Sequence, residues 1–67
     1  MLENFSKKLK YYRNLKSLSL EDLSSKTGLS ISYLSHLETG KRKNPSLDTL
    51  YKLATIFEIE IVDFLDL

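Results

Sequence analysis

The stretch "LSLEDLSSKTGLSISYLSHLETG", residues 18–40, decides the fold because it contains two short helical segments separated by a glycine. Ser19 is followed three residues later by an acid, which approximates a capping box and predicts that a helix begins at residue 20. Gly28 ends this helix, since glycine readily takes the left-handed conformation. We therefore expect helices over residues 20–27 and 31–39.

The same stretch has the spacing of a helix-turn-helix. Counted from Leu20, the fifth position is the small Ser24, the ninth is Gly28, and the fifteenth and eighteenth are Leu34 and Leu37. A small fifth residue lets the two helices approach, and the glycine takes the positive φ that turns the chain sharply. In this motif the second helix enters the major groove of DNA. The spacing therefore predicts a DNA-binding module.

The rest of the chain also has helical periodicity. We expect helices at about 3–16 and 47–57, the latter capped by Ser46. The closing segment "EIEIVDFLDL" alternates like a strand, but no partner strand is evident and a lone strand is not stable. A short fifth helix at about 61–65 is therefore expected. The inward stripes outside the motif are Leu2, Phe5, Leu9 and Tyr12; Leu47, Leu50, Leu53, Ala54 and Phe57; and Ile61, Phe64 and Leu65. The predicted fold class is a compact all-α domain of five helices over residues 1–67.

Size and composition restrict the class of protein. Sixty-seven residues allow one domain with one modest core. The chain has no cysteine, so neither a disulfide nor a thiolate metal site stabilises it. No apolar run approaches the roughly 18 residues of a membrane span, and the first residues lack the apolar stretch of a signal peptide. We expect a soluble cytoplasmic protein, or the excised domain of a longer one.

Charge is distributed unevenly although the net charge is only +1. Residues 1–44 hold nine lysines and arginines against four acids, whereas residues 45–67 hold one lysine against five acids. A polyanion would be attracted to the first part and repelled by the second. The alternative is that two solvated faces happen to differ in charge.

Catalysis is not expected. The chain has one histidine, no cysteine and no glycine-rich phosphate loop. Asp48 and the acids near the C-terminus have no histidine companion, so neither a nucleophile–base pair nor a metal cluster can be identified. We expect no enzyme activity, no cofactor and no metal site.

The chain resembles the phage-repressor/Cro family, also called Xre-type regulators. The matching residues are "LSLEDLSSKTGLSISYLSHLETGKRKNPSLDTLYKLATIF", with "KLKYYR" before them and "IVDFL" after them. The combination "YLSHLETGKRKNPS" is highly specific, and "LSL", "SYLS" and "NPS" are most similar to the SinR-like regulators of the family. The resemblance implies a five-helix lambda-repressor-like fold, sequence-specific DNA binding and usually a homodimer on a palindromic operator. The leading hypothesis is therefore a transcriptional regulator, either a repressor, which we favour, or an activator.

Three residues depart from the family pattern. Leu20 occupies a position where many members carry a glutamine that touches the DNA backbone, so it can offer only its backbone N–H there. Ser17 stands where glycine usually closes the first helix, which should cost about 1 kcal/mol if the residue is left-handed. Ser24 replaces the usual alanine and is small enough to keep the packing.

The candidate base-reading residues lie on the second helix of the motif. On a helical wheel with Leu34 inward, Ser32 and His36 lie opposite the core and Ser35 flanks them. Their hydroxyl and imidazole groups can donate or accept hydrogen bonds at base edges. By the resemblance, Ile31, Ser32 and His36 correspond to base-reading positions. The alternatives are a partly buried Ile31 and a merely exposed His36.

A second set of residues is expected to contact the DNA backbone. Hydroxyls and N–H groups at helix ends can face phosphates, although simple capping is the alternative. The basic run after the reading helix is expected to clamp the backbone, and each neutralised phosphate should add about 0.9 to the salt dependence of binding. The candidates are Ser19, Leu20, Ser30, Thr39, Lys41, Arg42 and Lys43.

Two further sets of residues are expected to have structural roles, one as an ion pair and one as a dimer contact. The resemblance implies that Arg13 and Glu38 form a partly buried ion pair that fixes the reading helix. One copy of the chain would read only about four or five base pairs, so we expect a dimer on half-sites about one helical turn apart. The candidate dimer residues, which alternatively only close the core, are Ile59, Ile61, Val62, Phe64 and Leu67.

The sequence is also compatible with a second function. The same fold serves as a protein-binding module in antitoxins and anti-repressor partners. In that case the acidic and apolar C-terminal end would dock another protein. DNA binding that weakens steeply with salt would favour the regulator over this alternative.

Overall fold

Four α-helices and one 3-10 turn form the regular structure of residues 1–66, which are the residues that the computed structural model describes. Leu67 lies outside the described residues. The elements in chain order are α1 (Phe5–Leu15), α2 (Leu20–Thr27), α3 (Ile31–Thr39), α4 (Leu47–Phe57) and the 3-10 turn (Ile61–Phe64).

Local side-chain chemistry explains where three of the helices begin. The Ser19 hydroxyl accepts the N–H of Asp22, and the Asp22 carboxylate accepts the N–H of Ser19, so the predicted capping box is confirmed. Ser30 and Ser46 each accept an N–H from the residue three positions on. These caps satisfy N–H groups that have no partner inside the helix, and α2, α3 and α4 occupy the ranges expected from the sequence.

The C-terminal ends of α1 and α4 are each followed by a residue other than glycine in the left-handed conformation. Ser17 has a φ of 55° and Glu58 a φ of 60°. A left-handed conformation is unfavourable for residues that carry a Cβ atom, so Ser17 should cost about 1 kcal/mol relative to glycine. The helix α1 itself begins two residues later and ends one residue earlier than the sequence predicted.

The fifth helix was predicted in the wrong conformation, since Ile61–Phe64 is a 3-10 turn. The Asp63 carboxylate accepts the N–H of Glu60, the N–H groups of Asp63 and Leu65 each donate to the carbonyl three residues back, and Leu65 is already extended, so the segment ends before an α-helical turn is completed. A spacing of three residues matches the 3-10 period. Phe64 is therefore buried and Ile61 half-buried.

The core is a cluster contributed by every helix and by the 3-10 turn. Its aromatic part joins Phe5, Tyr12, Phe57 and Phe64, with ring centroids 5.3 to 6.3 Å apart. Edge-to-face pairs at such distances stabilise beyond their buried area. Leu47 was wrongly expected in this core, because it is 71% exposed at the first position of α4. The buried apolar residues are Phe5, Leu9, Leu23, Leu34, Leu37, Leu50, Leu53, Ala54, Phe57 and Phe64.

The packing order leaves one side of α3 uncovered. Helix α1 packs against α3, α2 packs against α3 and α4, and the 3-10 turn packs against α1 and α4. The Cα atoms extend over 29 × 24 × 20 Å. Within residues 1–66, no helix combines the length and the apolar character needed to cross a membrane.

Candidate nucleic-acid interface

The turn between α2 and α3 is fixed by side-chain hydrogen bonds. Gly28 has a φ of 79° and its N–H donates to the Ser24 carbonyl at 2.8 Å. The Ser24 hydroxyl donates to the Leu29 carbonyl at 2.6 Å, which the sequence did not predict. Thr27 accepts the Leu29 N–H at 3.1 Å and donates to the Leu23 carbonyl at 2.7 Å. These bonds hold the angle between the two helices of the motif.

One side of α3 is anchored and the other is open. Leu34 and Leu37 are fully buried on the inner side. Ser32 is exposed, and Ile31 is 45% exposed, so Ile31 is not a core residue. Ser35 and His36 are half-buried. The open side therefore presents an apolar group, hydroxyls and an imidazole, which suit hydrogen bonds and methyl contacts at base edges.

An ion pair ties α3 to α1. Arg13 Nη2 lies 3.0 Å from Glu38 Oε1, and Arg13 Nε donates to the second oxygen of the same carboxylate. Arg13 Nη1 donates to the Leu18 carbonyl at 2.8 Å. The side chains are 15% and 8% exposed. The hydrogen bond to Glu38 raises the pKa of Arg13 above its ordinary value. A planar guanidinium that holds three acceptors at once fixes the orientation of α3.

The N-terminal ends of α2 and α3 are open to ligands. Ser19 and Ser30 are exposed, and their caps use the hydroxyl oxygen as an acceptor, so both hydroxyl protons remain available. Leu20 is half-buried and its side chain packs against the core. The Asp22 carboxylate lies beside Ser19, and hydrogen bonds from Ser19 lower its pKa. This negative charge weakens the attraction of the α2 end for a phosphate.

The basic run forms a loop that folds back on α3. Lys41, Arg42 and Lys43 are exposed, and none of them has a carboxylate partner among residues 1–66. The Arg42 N–H donates to the His36 carbonyl at 3.0 Å, and Thr39 Oγ1 donates to the same carbonyl at 3.3 Å. The loop cations thus lie at the end of the helix that carries the candidate reading residues.

Two other lysines of the chain are already paired with carboxylates. Lys8 Nζ lies 2.8 Å from Asp66 Oδ1, and Lys16 Nζ lies 2.7 Å from Glu58 Oε1. The Lys8 ammonium, together with the N–H of Asn4, lowers the pKa of Asp66 far below its usual value. The basic and acidic parts of the sequence therefore partly neutralise each other. No local pattern indicates these pairs, because their members are far apart along the chain.

The predicted dimer residues differ in how exposed they are. Phe64 is fully buried against Phe5 and Phe57, so it cannot contact a second copy and its assignment was wrong. Ile59 and Ile61 are half-buried, and Val62 is 47% exposed. The fifth member, Leu67, lies outside the described residues. The partly exposed members line a groove with Tyr51 and Thr55.

The fold and this open face define a helix-turn-helix protein. A family model described as helix-turn-helix matches residues 9–64. The chain therefore belongs to the helix-turn-helix family of the Xre type, a family of DNA-binding transcriptional regulators and not of enzymes.

Individual relatives support this membership. The transcriptional regulator SinR of Bacillus subtilis is 36% identical over 59 residues, which are 88% of this chain and 53% of SinR. The chain thus spans about half the length of SinR. The uncharacterised regulator MJ0272 of Methanocaldococcus jannaschii is 45% identical over 56 residues, 84% of this chain and 83% of MJ0272. A crystal structure of SinR in complex with DNA has a TM-score of 0.89 and 34% identity, covering 92% of this chain and 98% of that one.

Proposed function

We propose that the chain binds double-stranded DNA sequence-specifically, with α3 in the major groove, and acts as a transcriptional regulator of the repressor type. The observation that carries the proposal is the open side of α3, which presents hydrogen-bonding groups next to three cations that have no carboxylate partner within residues 1–66. A plain solvated helix would instead carry pairs of opposite charges. The solved complex of SinR with DNA supports the proposal, since SinR is similar over nearly the whole of this chain.

The roles of the residues follow from their chemistry. Ser32, Ser35 and His36 hydrogen-bond to base edges, and Ile31 meets a thymine methyl. The backbone contacts fix the register and carry no sequence information. Strong electrostatic contacts come from the loop, whereas the helix ends contribute hydroxyl and N–H donors. The proposed backbone residues are Ser19, Leu20, Ser30, Thr39, Lys41, Arg42 and Lys43.

A homodimer on a palindromic operator completes the proposal. A single α3 reads too few base pairs for specificity within a genome. Two copies related by a two-fold axis would read half-sites about one helical turn apart. The groove beside Val62 is the candidate contact, with Ile59 and Ile61 at its edge. Leu47 and Tyr51 extend its apolar surface, since both are exposed on α4.

Selection of binding sites from a random duplex pool tests the proposal. We expect a palindromic site for the wild-type chain. The variants Ser32→Ala and His36→Ala should each relax the preference at one position per half-site, with about 1–3 kcal/mol of discrimination lost. Ser25→Ala is the matched control, because Ser25 is exposed on α2 and is not a proposed contact.

The possible results separate the parts of the proposal. An unchanged motif at unchanged stringency in both variants would show that the reading residues are wrongly assigned. A motif without two-fold symmetry would contradict the homodimer but leave the reading side of α3 intact. Retention of no duplex at all would favour the protein-binding module.

A further inference from the structure

Arg42 lies over an aromatic ring that belongs to the reading helix itself. Its guanidinium carbon is 5.3 Å from the centroid of the Tyr33 ring. A cation within about 6 Å of the face of an aromatic ring is attracted by the ring quadrupole. This contact engages no acceptor oxygen, so the N–H groups of the guanidinium remain available to donate to a ligand.

The Tyr33 ring is held in place independently of Arg42. Its hydroxyl lies 3.3 Å from Thr49 Oγ1, and Thr49 is 4% exposed on the first turn of α4. Thr49 Oγ1 in turn accepts from the Ser46 hydroxyl at 3.1 Å. The ring is therefore fixed between α3 and α4 before any ligand is present.

The backbone of Arg42 is also tied to α3, through its N–H bond to the His36 carbonyl. Arg42 thus has two attachments to the reading helix, one through its backbone and one through its side chain. An unattached arginine on a loop would lose rotamer freedom when it grips a phosphate, and that loss would weaken binding. A guanidinium already held against a fixed ring loses less.

We propose that Tyr33 is a positioning residue, which holds the Arg42 guanidinium for contact with a DNA phosphate. The inference rests on the proposed function and adds a residue that the sequence reading did not assign. Tyr33 does not read bases in this role. It acts only through Arg42, so its effect on binding exists only while Arg42 is present.

A double-mutant cycle on the full chain tests this coupling. Dissociation constants for a mixed-sequence duplex are measured over a range of salt concentrations for the wild type, Tyr33→Leu, Arg42→Gln and the double variant. Tyr33→Leu should weaken binding about two- to five-fold in the wild-type background. In the Arg42→Gln background the same change should have no further effect. Arg42→Gln alone should lower the salt slope by about 0.9.

Two additional measurements exclude a merely structural role. Tyr33→Phe loses the hydroxyl contact with Thr49 but keeps the half-buried ring that Arg42 contacts, so it should bind within two-fold of the wild type. In NMR spectra of the free protein, the Arg42 δ protons should be shifted upfield by the ring in the wild type and in Tyr33→Phe. This shift should disappear in Tyr33→Leu. All affinities are measured well below the melting temperature of each variant.

The outcomes distinguish a failure of the positioning role of Tyr33 from a failure of the proposed DNA-binding function. A wild-type chain that binds duplex, with equal losses from Tyr33→Leu in both backgrounds, would overturn the positioning role alone. The same conclusion follows if the Arg42 signals do not depend on the ring. A wild-type chain that binds no duplex would overturn the proposed function, and the positioning role with it.

Discussion

The lysines and arginines of α1 and those of the loop after α3 have the same formal charge but different surroundings. Lys8 and Arg13 in α1, and Lys16 directly after its C-terminal end, each contact a carboxylate of a distant part of the chain. The cations of residues 41–43 have no carboxylate partner within the described part of the chain. Cations of the first kind stabilise the fold, whereas those of the second kind remain available to a polyanion.

Because paired and unpaired cations differ in this way, the charge of a segment does not measure its attraction for DNA. Four of the nine lysines and arginines in the first part of the sequence lie in α1, and acids from the C-terminal part contact Lys8 of α1 and the adjacent Lys16. A cation whose charge is already compensated contributes little to the release of counterions from DNA. Under the proposed function, the cations that contact DNA are those that follow α3 directly.

The largest expected effect comes from breaking the buried pair of α1. Arg13→Ala should lower the free energy of unfolding by about 3 kcal/mol, because it leaves the Glu38 carboxylate buried without a partner. Arg13→Lys should cost less, since it keeps the charge but loses the planar set of donors. Urea denaturation monitored by circular dichroism measures both.

The control for this prediction is an exposed pair. Lys52→Ala removes the contact with Asp48 within α4, where the side chains are 42% and 72% exposed. We expect a change below about 0.5 kcal/mol. Equal losses for Arg13→Ala and Lys52→Ala would show that burial does not distinguish the two pairs.

The next effect concerns DNA affinity. Replacing Lys41, Arg42 and Lys43 together by glutamine should lower the salt slope of DNA binding by about 2–3, because three phosphate contacts are lost. The preferred sequence should not change, since these residues are assigned to the backbone. Fluorescence anisotropy at several salt concentrations measures the slope.

Single variants of paired cations test the other side of the comparison. Lys8→Gln and Lys16→Gln each remove one positive charge that a carboxylate already compensates. Each should change the salt slope by less than about 0.5. The distinction between the two groups of cations would be lost if Lys16→Gln lowered the slope as much per charge as the loop variant.

The smallest effect is a dependence of stability on pH. The pKa of Asp66 in the folded protein is depressed, so its contribution to stability is complete above the ordinary carboxyl pKa of about 4 and is lost as the pH falls below that value. Asp66→Asn should therefore be less stable than the wild type at neutral pH, and the difference should shrink in acid. Urea midpoints between roughly pH 5 and pH 2 measure this.

The cause of that dependence can be checked with Lys8→Met. This variant removes the cation that contributes most to the depressed pKa of Asp66. In its background, Asp66→Asn should have a smaller effect on the pH dependence. A full effect in that background would indicate that the hydrogen bonds from Asn4 dominate instead.

The helix boundaries could be predicted because the signals are local. Ser19, Ser30 and Ser46 cap the helices that follow them. Gly28 and Gly40 take the positive φ that ends α2 and α3. Such chemistry involves residues within one turn of one another. The spacing of the motif then places Leu34 and Leu37 against the core, which makes the open side of α3 predictable as well.

Features that depend on distant contacts could not be predicted from these patterns. The last element is a 3-10 turn, and hydrogen bonds fix both of its ends. Beyond its C-terminal end, Asp66 donates its N–H to the Met1 carbonyl at the other end of the chain. Helical periodicity cannot show that Leu47 points outward from the first turn of α4 or that Phe64 is enclosed by aromatic rings of other helices. The contact of Arg42 with Tyr33 also depends on how the loop folds back.

The attachment of α3 has a consequence for how this scaffold can diversify. Leu34, Leu37 and Glu38 hold the helix from its inner side, and the latter two are close to its C-terminal end. The outer positions contribute little to folding, so exchanges at Ser32 or Ile31 leave the anchoring residues untouched. Under the proposed function, new target sequences are therefore accessible through a few substitutions, without the compensating changes that an altered interior would demand.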